Sequence, residues 1–340
     1  MLRRNTVLIL AVLGIAMQAT GNDKAWRKVQ EAYAKGRPYK AVRACDRMLS
    51  GPSPDQRFLV LRAVGRNMLG HHEKALHDAA KGTAHVRGDT LDLARVQVGI
   101  ALVALGHADS ARHWFALAFD GAHAAEARRR MAGLHKTAGR CAEAIALLDQ
   151  VLIAGPDDQA ALRERGGCHA MQGDTAAARA DLDRAIELAP RDPVAWNGRG
   201  QDLHARAGRW GEALADFQRA IKLDPNYSFA FNNMGLALHK LGRTDKGLRA
   251  IALAGRKKPD NPFVPRNLGL IALDRGDTAR ACAHFQRALA MGFTDLYGTE
   301  LVDLVRSHCT VVAPPSTPSA PASPPGTPAP INAPGRHNAP

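Results

Sequence analysis

The sequence has few of the features that mark an enzyme active site or a nucleic-acid groove. Only 5% of its 340 residues are aromatic, so few rings are available on which bases could stack. It contains no phosphate-binding G-x-x-x-x-G-K-[ST] loop, no G-x-S-x-G nucleophile elbow and no H-E-x-x-H zinc helix. Gly198 and Gly200 form a G-x-G, but no predicted strand precedes it. These absences indicate a non-enzymatic protein.

Metal-binding patterns are also missing. The five cysteines have no zinc-type spacing, and the neighbouring His71 and His72 lie in a predicted turn, where histidines are generally solvated. Paired carboxylates at 157–158 and at 181 and 183 are interpreted as helix caps and solvated charge. We therefore predict neither a metal site nor a cofactor.

The only early hydrophobic run is short. It follows the basic start MLRR, spans about 11 residues and ends before small residues at Ala19 and Gly21. This pattern predicts a secretory signal peptide over residues 1–21, because a membrane span needs about 20 apolar residues. The mature chain is then exported, to the periplasm or the medium. Retention of the segment as an uncleaved anchor is the alternative.

The far end of the chain lacks hydrophobic periodicity. Residues 313–340 are rich in proline, alanine and serine, which predicts a disordered tail. The tail is either a spacer that contacts the cell wall or an unconstrained end. Before it, residues 296–312 predict an amphipathic helix that caps the preceding structure.

No run of five or six basic residues occurs, although the formal net charge is +14. This charge indicates an acidic partner, a nucleic acid or an anionic envelope surface, and an arginine-rich solvated surface explains it equally well. The signal segment and the scarcity of aromatic residues weigh against a nucleic acid. We therefore expect a protein or peptide partner with acidic groups.

Glycines in the same local setting recur along the chain at steps of 34, 36, 33, 34, 35, 34 and 34 residues. Each is followed, five positions later, by alanine or glycine. A fixed period of this length predicts a repeat architecture. The recurring glycines are Gly36, Gly70, Gly106, Gly139, Gly173, Gly208, Gly242 and Gly276.

One unit shows which repeat this is. Its residues resemble the tetratricopeptide pattern W-x2-L-G-x2-Y…A-x3-F…P. Arg199 takes the place of the usual leucine, and one residue is inserted before Gly208. The residues that carry the resemblance are Trp196, Gly200, Leu203, Ala213, Phe217, Ala220 and Pro225.

The resemblance implies an all-α, right-handed solenoid of eight helix pairs over residues 22–295. Gly235 and Gly247 are expected where the two helices of one pair come closest. Gly242 is expected just past the first helix, in the left-handed conformation that glycine adopts without steric cost. The predicted units begin near Asn22, Gln56, Asp92, Ala125, Gln159, Pro193, Ser228 and Pro262.

Proteins of this family generally bind peptides in a concave groove that the first helix of each pair lines. The resemblance therefore implies a binding surface of asparagine and basic residues, whose amides suit the backbone of an extended peptide. Asn233, Arg266 and Asn267 are expected to be exposed. The predicted peptide-binding residues are Asn197, Gln201, Asn232, Asn233, Arg266, Asn267, Arg129, Arg130 and Arg163.

Units two and three have an apolar groove side instead, which predicts either a hydrophobic docking site or tighter local packing. The residues concerned are Val60, Leu61, Val64, Val96, Ile100 and Val103.

The cysteines suggest disulfides, since an exported protein meets an oxidising compartment. Cys282 and Cys309 are 27 residues apart, as are Cys141 and Cys168, and each pair joins helices that should pack together. We predict a bridge between Cys282 and Cys309 that fixes the cap, and give the Cys141–Cys168 bridge second place. Cys45 is predicted to be a buried thiol.

Together these patterns predict a non-enzymatic protein- or peptide-binding scaffold of the cell envelope. Two alternatives remain at this point. One is a basic protein that binds a polyanion or nucleic acid, and the other is a non-catalytic subunit that positions a partner enzyme.

Overall fold

The computed structural model describes residues 22–51, 54–293 and 300–309. The predicted signal segment and the predicted tail lie outside these residues, as does part of the predicted cap. Within the described residues the chain forms seventeen helices and no strand, arranged as eight pairs followed by one terminal helix. The predicted all-α solenoid is confirmed.

The helices of each pair pack antiparallel, and successive pairs stack on one another. The first helices are α1 (Asp23–Ala34), α3 (Arg57–Met68), α5 (Gly88–Ala104), α7 (Ala124–Thr137), α9 (Gln159–Gln172), α11 (Pro193–Gly198), α13 (Ser228–Lys240) and α15 (Phe263–Asp274). The second helices are α2 (Pro38–Leu49), α4 (His72–Thr83), α6 (Ala108–Ala116), α8 (Cys141–Ala154), α10 (Thr175–Leu188), α12 (Trp210–Leu223), α14 (Thr244–Lys257) and α16 (Thr278–Ala290). The terminal helix is α17 (Glu300–His308).

Glycine has two separate tasks in this fold. Gly242 follows α13 with φ +75°, and the seven other recurring glycines also have positive φ, as expected for left-handed turns. Gly235 and Gly247 lie where α13 and α14 approach: a Cβ on Gly235 would come within 2.4 Å of the Ile251 side chain and 2.7 Å of the Gly247 carbonyl oxygen. Both predictions are confirmed.

The third pair departs from the regular pattern. Its first helix, α5, begins at Gly88, four residues before the predicted start at Asp92, and has 17 residues. Its second helix, α6, has only 9. Asp92 is nearly buried and pairs with Arg95 at 2.9 Å. The unit boundary at Asp92 was therefore predicted too late.

The inserted residue of the sixth unit is absorbed inside its first helix. After α11 the chain continues as a π-helix over Arg199–Ala205, in which each backbone hydrogen bond spans one residue more than in an α-helix. The helix thus keeps its hydrogen bonds, and α12 still packs in register. Leu203 and Phe217 remain buried on the two sides of the pair.

Arginine takes the usual leucine position in three units and joins neighbouring pairs. Arg165 on α9 donates two hydrogen bonds to Asp181 on α10, at 2.7 and 2.8 Å, and one of 2.7 Å to Asp149 on α8. Arg62 binds Asp78 and Asp46 in the same way, and each of these aspartates is 16 residues from it along the chain. Each arginine therefore connects two helices: the second helix of its own pair and the second helix of the preceding pair.

The third such arginine, Arg199, binds Asp216 and Asp183. Asp181 and Asp183 had been interpreted as solvated charge, which is wrong for Asp181, since it is only 6% exposed and lies in an ion pair. The interpretation of Asp158 as a helix cap is confirmed: its carboxylate accepts from the backbone N–H groups of Ala160 and Ala161.

The apolar stretch of units two and three belongs to the core. Val60 and Leu61 are fully buried with Phe58 and Tyr33 of the first two pairs. Val96 is buried with Phe115, and the partly buried Val64, Ile100 and Val103 pack against the same clusters. The structure therefore supports tighter local packing and not a hydrophobic docking site.

The terminal helix closes the stack. Leu301 on α17 is fully buried against Phe285 and Phe293. A disulfide joins Cys282 on α16 to Cys309 just after α17, with 5.6 Å between the Cα atoms, so the predicted bridge is confirmed. In the part of the chain that the structure describes, no helix combines the length and the apolar character that a membrane crossing requires.

Candidate functional site

The first helices of pairs four to eight, together with α17, line a groove of about 890 Å³. Its walls contain three of the predicted asparagine and glutamine positions and one predicted arginine. The polar and charged residues that line it are Lys136, Asn197, Gln201, Asp202, Arg206, Asn233, Lys240, Arg266 and Glu300.

A row of polar residues runs along these first helices. Asn197 and Asn233 are neighbours in this row, and the Asn233 amide donates to the Asn197 side-chain oxygen at 3.1 Å. Arg266 follows on α15, and Glu300 lies 34 residues after Arg266, on α17. The Arg266 guanidinium donates to the Glu300 carboxylate at 2.6 Å. The terminal helix thus continues the row as a ninth first helix would.

A chain of aromatic contacts also runs along the groove. Tyr227 and Phe229 have ring centroids 5.9 Å apart, Phe229 and Phe263 are also 5.9 Å apart, and Phe263 and Phe293 are 5.1 Å apart. All four residues line the groove. The site therefore offers amides that can bind a peptide backbone and rings that can pack against its side chains.

Most of the groove's charged side chains already have partners. Lys136 lies 3.5 Å from Asp202, and Lys240 forms an ion pair with Asp274 outside the lining. Arg206 is different: it is exposed, and no ion pair or side-chain hydrogen bond connects it to any of the described residues. It leaves an uncompensated positive charge in the groove.

The environment of Lys136 favours its charged form. Burial works against the charge, but the carboxylate of Asp202, the Cys168 thiol and Glu164 outweigh it and raise the pKa of Lys136. Lys136 also crosses close above Gly167, where a Cβ would lie 2.2 Å from the Lys136 Nζ. Glycine at this point therefore leaves room for the Lys136–Asp202 pair.

Two of the predicted binding residues are buried rather than exposed. Asn267 is 1% exposed; its side-chain oxygen accepts from Arg266 at 2.8 Å, and its amide donates to the Asn232 carbonyl at 3.4 Å. Asn232 is 0% exposed. The expectation that Asn267 faces solvent is wrong, because its side chain is buried and bonds from α15 to the backbone of α13. Asn267 thus links adjacent pairs, and neither Asn267 nor Asn232 lines the groove.

Arg266 is also more enclosed than expected, since only 13% of its side chain is exposed beside Glu300. Asn233 is half-buried and does line the groove. The acidic group that was expected to meet Arg266 on a partner is thus matched within the chain by Glu300.

The three predicted arginines of units four and five lie outside the groove lining. Arg129 is nearly buried and pairs with Glu126, and its Nε lies 3.3 Å from Asp158. Arg130 binds the same Glu126 at 2.7 Å. Arg163 lies 3.9 Å from Glu164. Each of them is occupied by a carboxylate of the chain itself.

Glu126 shows the electrostatic effect of this cluster. Burial alone would raise the pKa of its carboxyl, but Arg130 and Arg129 outweigh burial and lower the pKa. Glu126 is therefore ionised at neutral pH and holds both arginines in place.

The remaining cysteines are free thiols. Cys141 is 5% exposed, and Cys168 and Cys45 are 0% exposed. The suggested Cys141–Cys168 bridge is absent, so that pairing was wrong, and the buried thiol at Cys45 is confirmed. Burial, more than any neighbouring group, raises the pKa of Cys168 to about 12. Among the described residues, no cluster of three or more His, Cys, Asp or Glu side chains could hold a metal ion.

Sequence reasoning missed Arg206 and the aromatic residues of the groove. Arg206 directly follows the π-helix, so the residue inserted before Gly208 was the signal that could have found it. Phe229 and Phe263 lie at the start of successive first helices, 34 residues apart, and this spacing was visible in the sequence.

Two family models match the chain: one described as tetratricopeptide repeat over residues 129–193 and one as TPR repeat over residues 202–242. No curated protein sequence matches it. Among solved structures, a chain of the APC/C hetero-tetramer Cut9-Hcn1 is similar with a TM-score of 0.61 and 17% identity, over 88% of this chain and 58% of that one. This chain thus spans little more than half of that protein's length.

Yeast Tom70 is similar with a TM-score of 0.56 and 12% identity, over 89% of this chain and 69% of that one. At these identities the likeness concerns the fold alone.

Proposed function

Because this chain is a tetratricopeptide repeat protein, we propose that it is a non-enzymatic scaffold that holds an extended peptide segment of a partner protein in the groove of pairs four to eight. Protein partners are what such repeats generally bind. The groove suits a peptide better than a compact ligand, since it continues across five pairs and is lined by both amide groups and aromatic rings.

The observation that carries this proposal is the unpaired Arg206 beside Gln201 and Asn233. The exposed guanidinium of Arg206 has no counter-ion among the described residues, so it is free to form a charge-assisted hydrogen bond with a carboxylate that a ligand brings. Asn197 and Asn233 can then exchange hydrogen bonds with the peptide backbone on either side. The partner segment therefore carries an acidic residue that meets Arg206.

We place this activity outside the cytoplasm, on the strength of the signal-like residues 1–21. In the cell envelope the scaffold would hold a secreted or membrane-attached partner. Intact-mass measurement of the native protein tests this placement: the account expects loss of about the first 19 to 21 residues. Native protein that begins at Met1 in the cytosol contradicts it.

Peptide binding can be tested without knowledge of the partner. A random-sequence peptide library displayed on phage is selected against the wild-type protein. The selected peptides are expected to be enriched in Asp and Glu and to compete with one another for a single site. Each is then synthesised, and its Kd is measured by calorimetry.

A variant in which the groove is blocked is compared with the wild type. Gln201→Trp places a large ring in the lining, in the π-helix, and is expected to abolish binding of the selected peptides while the circular dichroism spectrum stays unchanged. The control Arg249→Trp introduces the same ring outside the groove, on the exposed face of α14, and should leave binding intact. Peptides that bind both variants equally well would refute the groove as the site.

A further inference from the structure

Three sulfur atoms meet at the edge of the groove between α8 and α9. Cys141 begins α8, and Cys168 and Met171 are three residues apart on α9, so that they lie on the same face of that helix. The Cys141 Sγ lies 3.7 Å from the Met171 Sδ. Cys141 is also among the groups that raise the pKa of Cys168.

We propose that Cys141, Cys168 and Met171 form a three-sulfur binding site for a soft monovalent metal ion, of which Cu(I) is the physiological example. Thiolate and thioether ligands select such ions over zinc, calcium or magnesium. With metal–sulfur bonds of about 2.3 Å, three sulfurs around one trigonal ion lie about 4 Å apart. The measured separation of 3.7 Å between Cys141 and Met171 is close to this requirement.

The site has the burial and the access that such an ion requires. Cys168 and Cys141 are 0% and 5% exposed, whereas Met171 is 39% exposed. Met171 also lines the groove, so an ion can reach the thioether first and then pass to the thiols behind it. Soft monovalent ions favour such a dry, sulfur-rich environment, because water competes poorly with thiolate for them.

The charges balance when the ion is bound. Each of the two thiols releases its proton to solvent, and the thioether stays neutral. Two thiolates and one monovalent ion leave a net charge of −1. The ammonium group of Lys136 acts on Cys168 and faces this charge. No oxidant or reductant takes part.

The first measurement establishes that the ligands are available. Thiol titration of the unfolded, unreduced protein should find three thiols, since five cysteines include the Cys282–Cys309 disulfide. A count of one would mean that Cys141 and Cys168 are joined to each other, and would overturn the proposal.

The second measurement uses Ag(I), which needs no reductant and shares the ligand preference of Cu(I). Calorimetric titration of the unreduced wild-type protein should give one tight site per chain, with a rise in the melting temperature on binding. Cys168→Ser should remove the site. Met171→Leu, at a half-exposed position that tolerates the change, should weaken binding at least tenfold without loss of fold.

The matched control is Cys45→Ser, which removes a buried free thiol from the first pair, distant in sequence from the other sulfurs. It should leave both stoichiometry and affinity unchanged. The proposal fails if the wild-type protein shows no saturable site, if Met171→Leu binds Ag(I) as tightly as the wild type, or if Cys45→Ser removes the tight site.

Discussion

Glu300 on the terminal helix accepts a hydrogen bond of 2.6 Å from Arg266 on α15. The terminal helix, held by the Cys282–Cys309 disulfide, thus supplies a carboxylate at the end of the groove. An acidic peptide that extends to this end meets a cation that is already neutralised. On the function proposed above, Glu300 limits how strongly the groove attracts acidic ligands.

Removal of this carboxylate should strengthen binding of an acidic peptide. In Glu300→Gln the charge of Arg266 becomes available, and we expect the Kd of a selected acidic peptide to fall by about threefold to tenfold, or roughly 0.7 to 1.4 kcal/mol. Calorimetry measures the change. Asp303→Asn, on the exposed side of the same helix and paired with Arg306, is the control and should not alter the Kd. Weaker binding by Glu300→Gln would contradict this role.

The arginines that join neighbouring pairs should matter for stability. Arg165→Leu leaves the buried carboxylate of Asp181 without its cation. Loss of one partner from a fully buried pair costs about 3–5 kcal/mol. Because Arg165 is 25% exposed, solvent screening reduces the expected loss in the free energy of unfolding to about 2 kcal/mol.

The matched control is Arg184→Leu, which removes an arginine that is 48% exposed and bound to Asp157 and Glu187. Urea denaturation should show no measurable loss for it. In Arg165→Leu with Asp181→Leu, where no buried charge is left alone, stability should recover relative to the single variant. Equal losses for Arg165→Leu and Arg184→Leu would show that the arginine does not join the pairs.

Two glycine-to-alanine changes separate close packing from helix propensity. Gly235→Ala forces a methyl group against Ile251 and the Gly247 carbonyl, which should cost about 1–3 kcal/mol. Gly133→Ala, inside α7, meets no atom within 4 Å and should stabilise the helix by up to about 1 kcal/mol. The melting temperatures should therefore move in opposite directions. Two shifts of the same sign would contradict the packing of α13 on α14.

The neighbouring asparagine positions should differ in their effect on stability. Asn267→Ala removes a buried side chain that bonds to Arg266 and to the Asn232 carbonyl, and should cost about 1–3 kcal/mol. Asn233→Ala removes one half-buried bond to Asn197 and should cost about 1 kcal/mol or less. Thermal unfolding compares the two. A larger loss of stability for Asn233→Ala than for Asn267→Ala would mean that Asn233, and not Asn267, is the buried side chain.

Most of the fold could be predicted from the repeat period of the sequence. Gly242 and Gly235 have the conformation and the close contact that their places in the unit predicted, because backbone turns and helix contacts depend on local sequence. Asn267 was misplaced for a different reason. Its burial depends on how α15 is rotated against α13, and a rotation of one residue turns a groove position into a core position.

The ion pairs were harder to foresee. Arg165 lies 16 residues after Asp149 and 16 residues before Asp181. Its ion pairs with both carboxylates form only when three helices are stacked. Arg206 escaped notice because the π-helix over Arg199–Ala205 changes the direction of the residues that follow. The sequence contained the insertion but not the way in which the helix absorbs it.

The central claim is that the groove around Arg206 binds acidic peptides, and charge reversal tests it most directly. The Kd of one selected acidic peptide is measured by calorimetry for the wild type, Arg206→Glu and Arg249→Glu. Arg249 is an exposed arginine on α14 outside the groove, so both variants change the net charge equally. Arg206→Glu should raise the Kd at least tenfold, about 1.4 kcal/mol, and Arg249→Glu should leave it nearly unchanged. Equal effects of the two variants would show that net charge rather than this groove attracts the peptide, and would contradict the account.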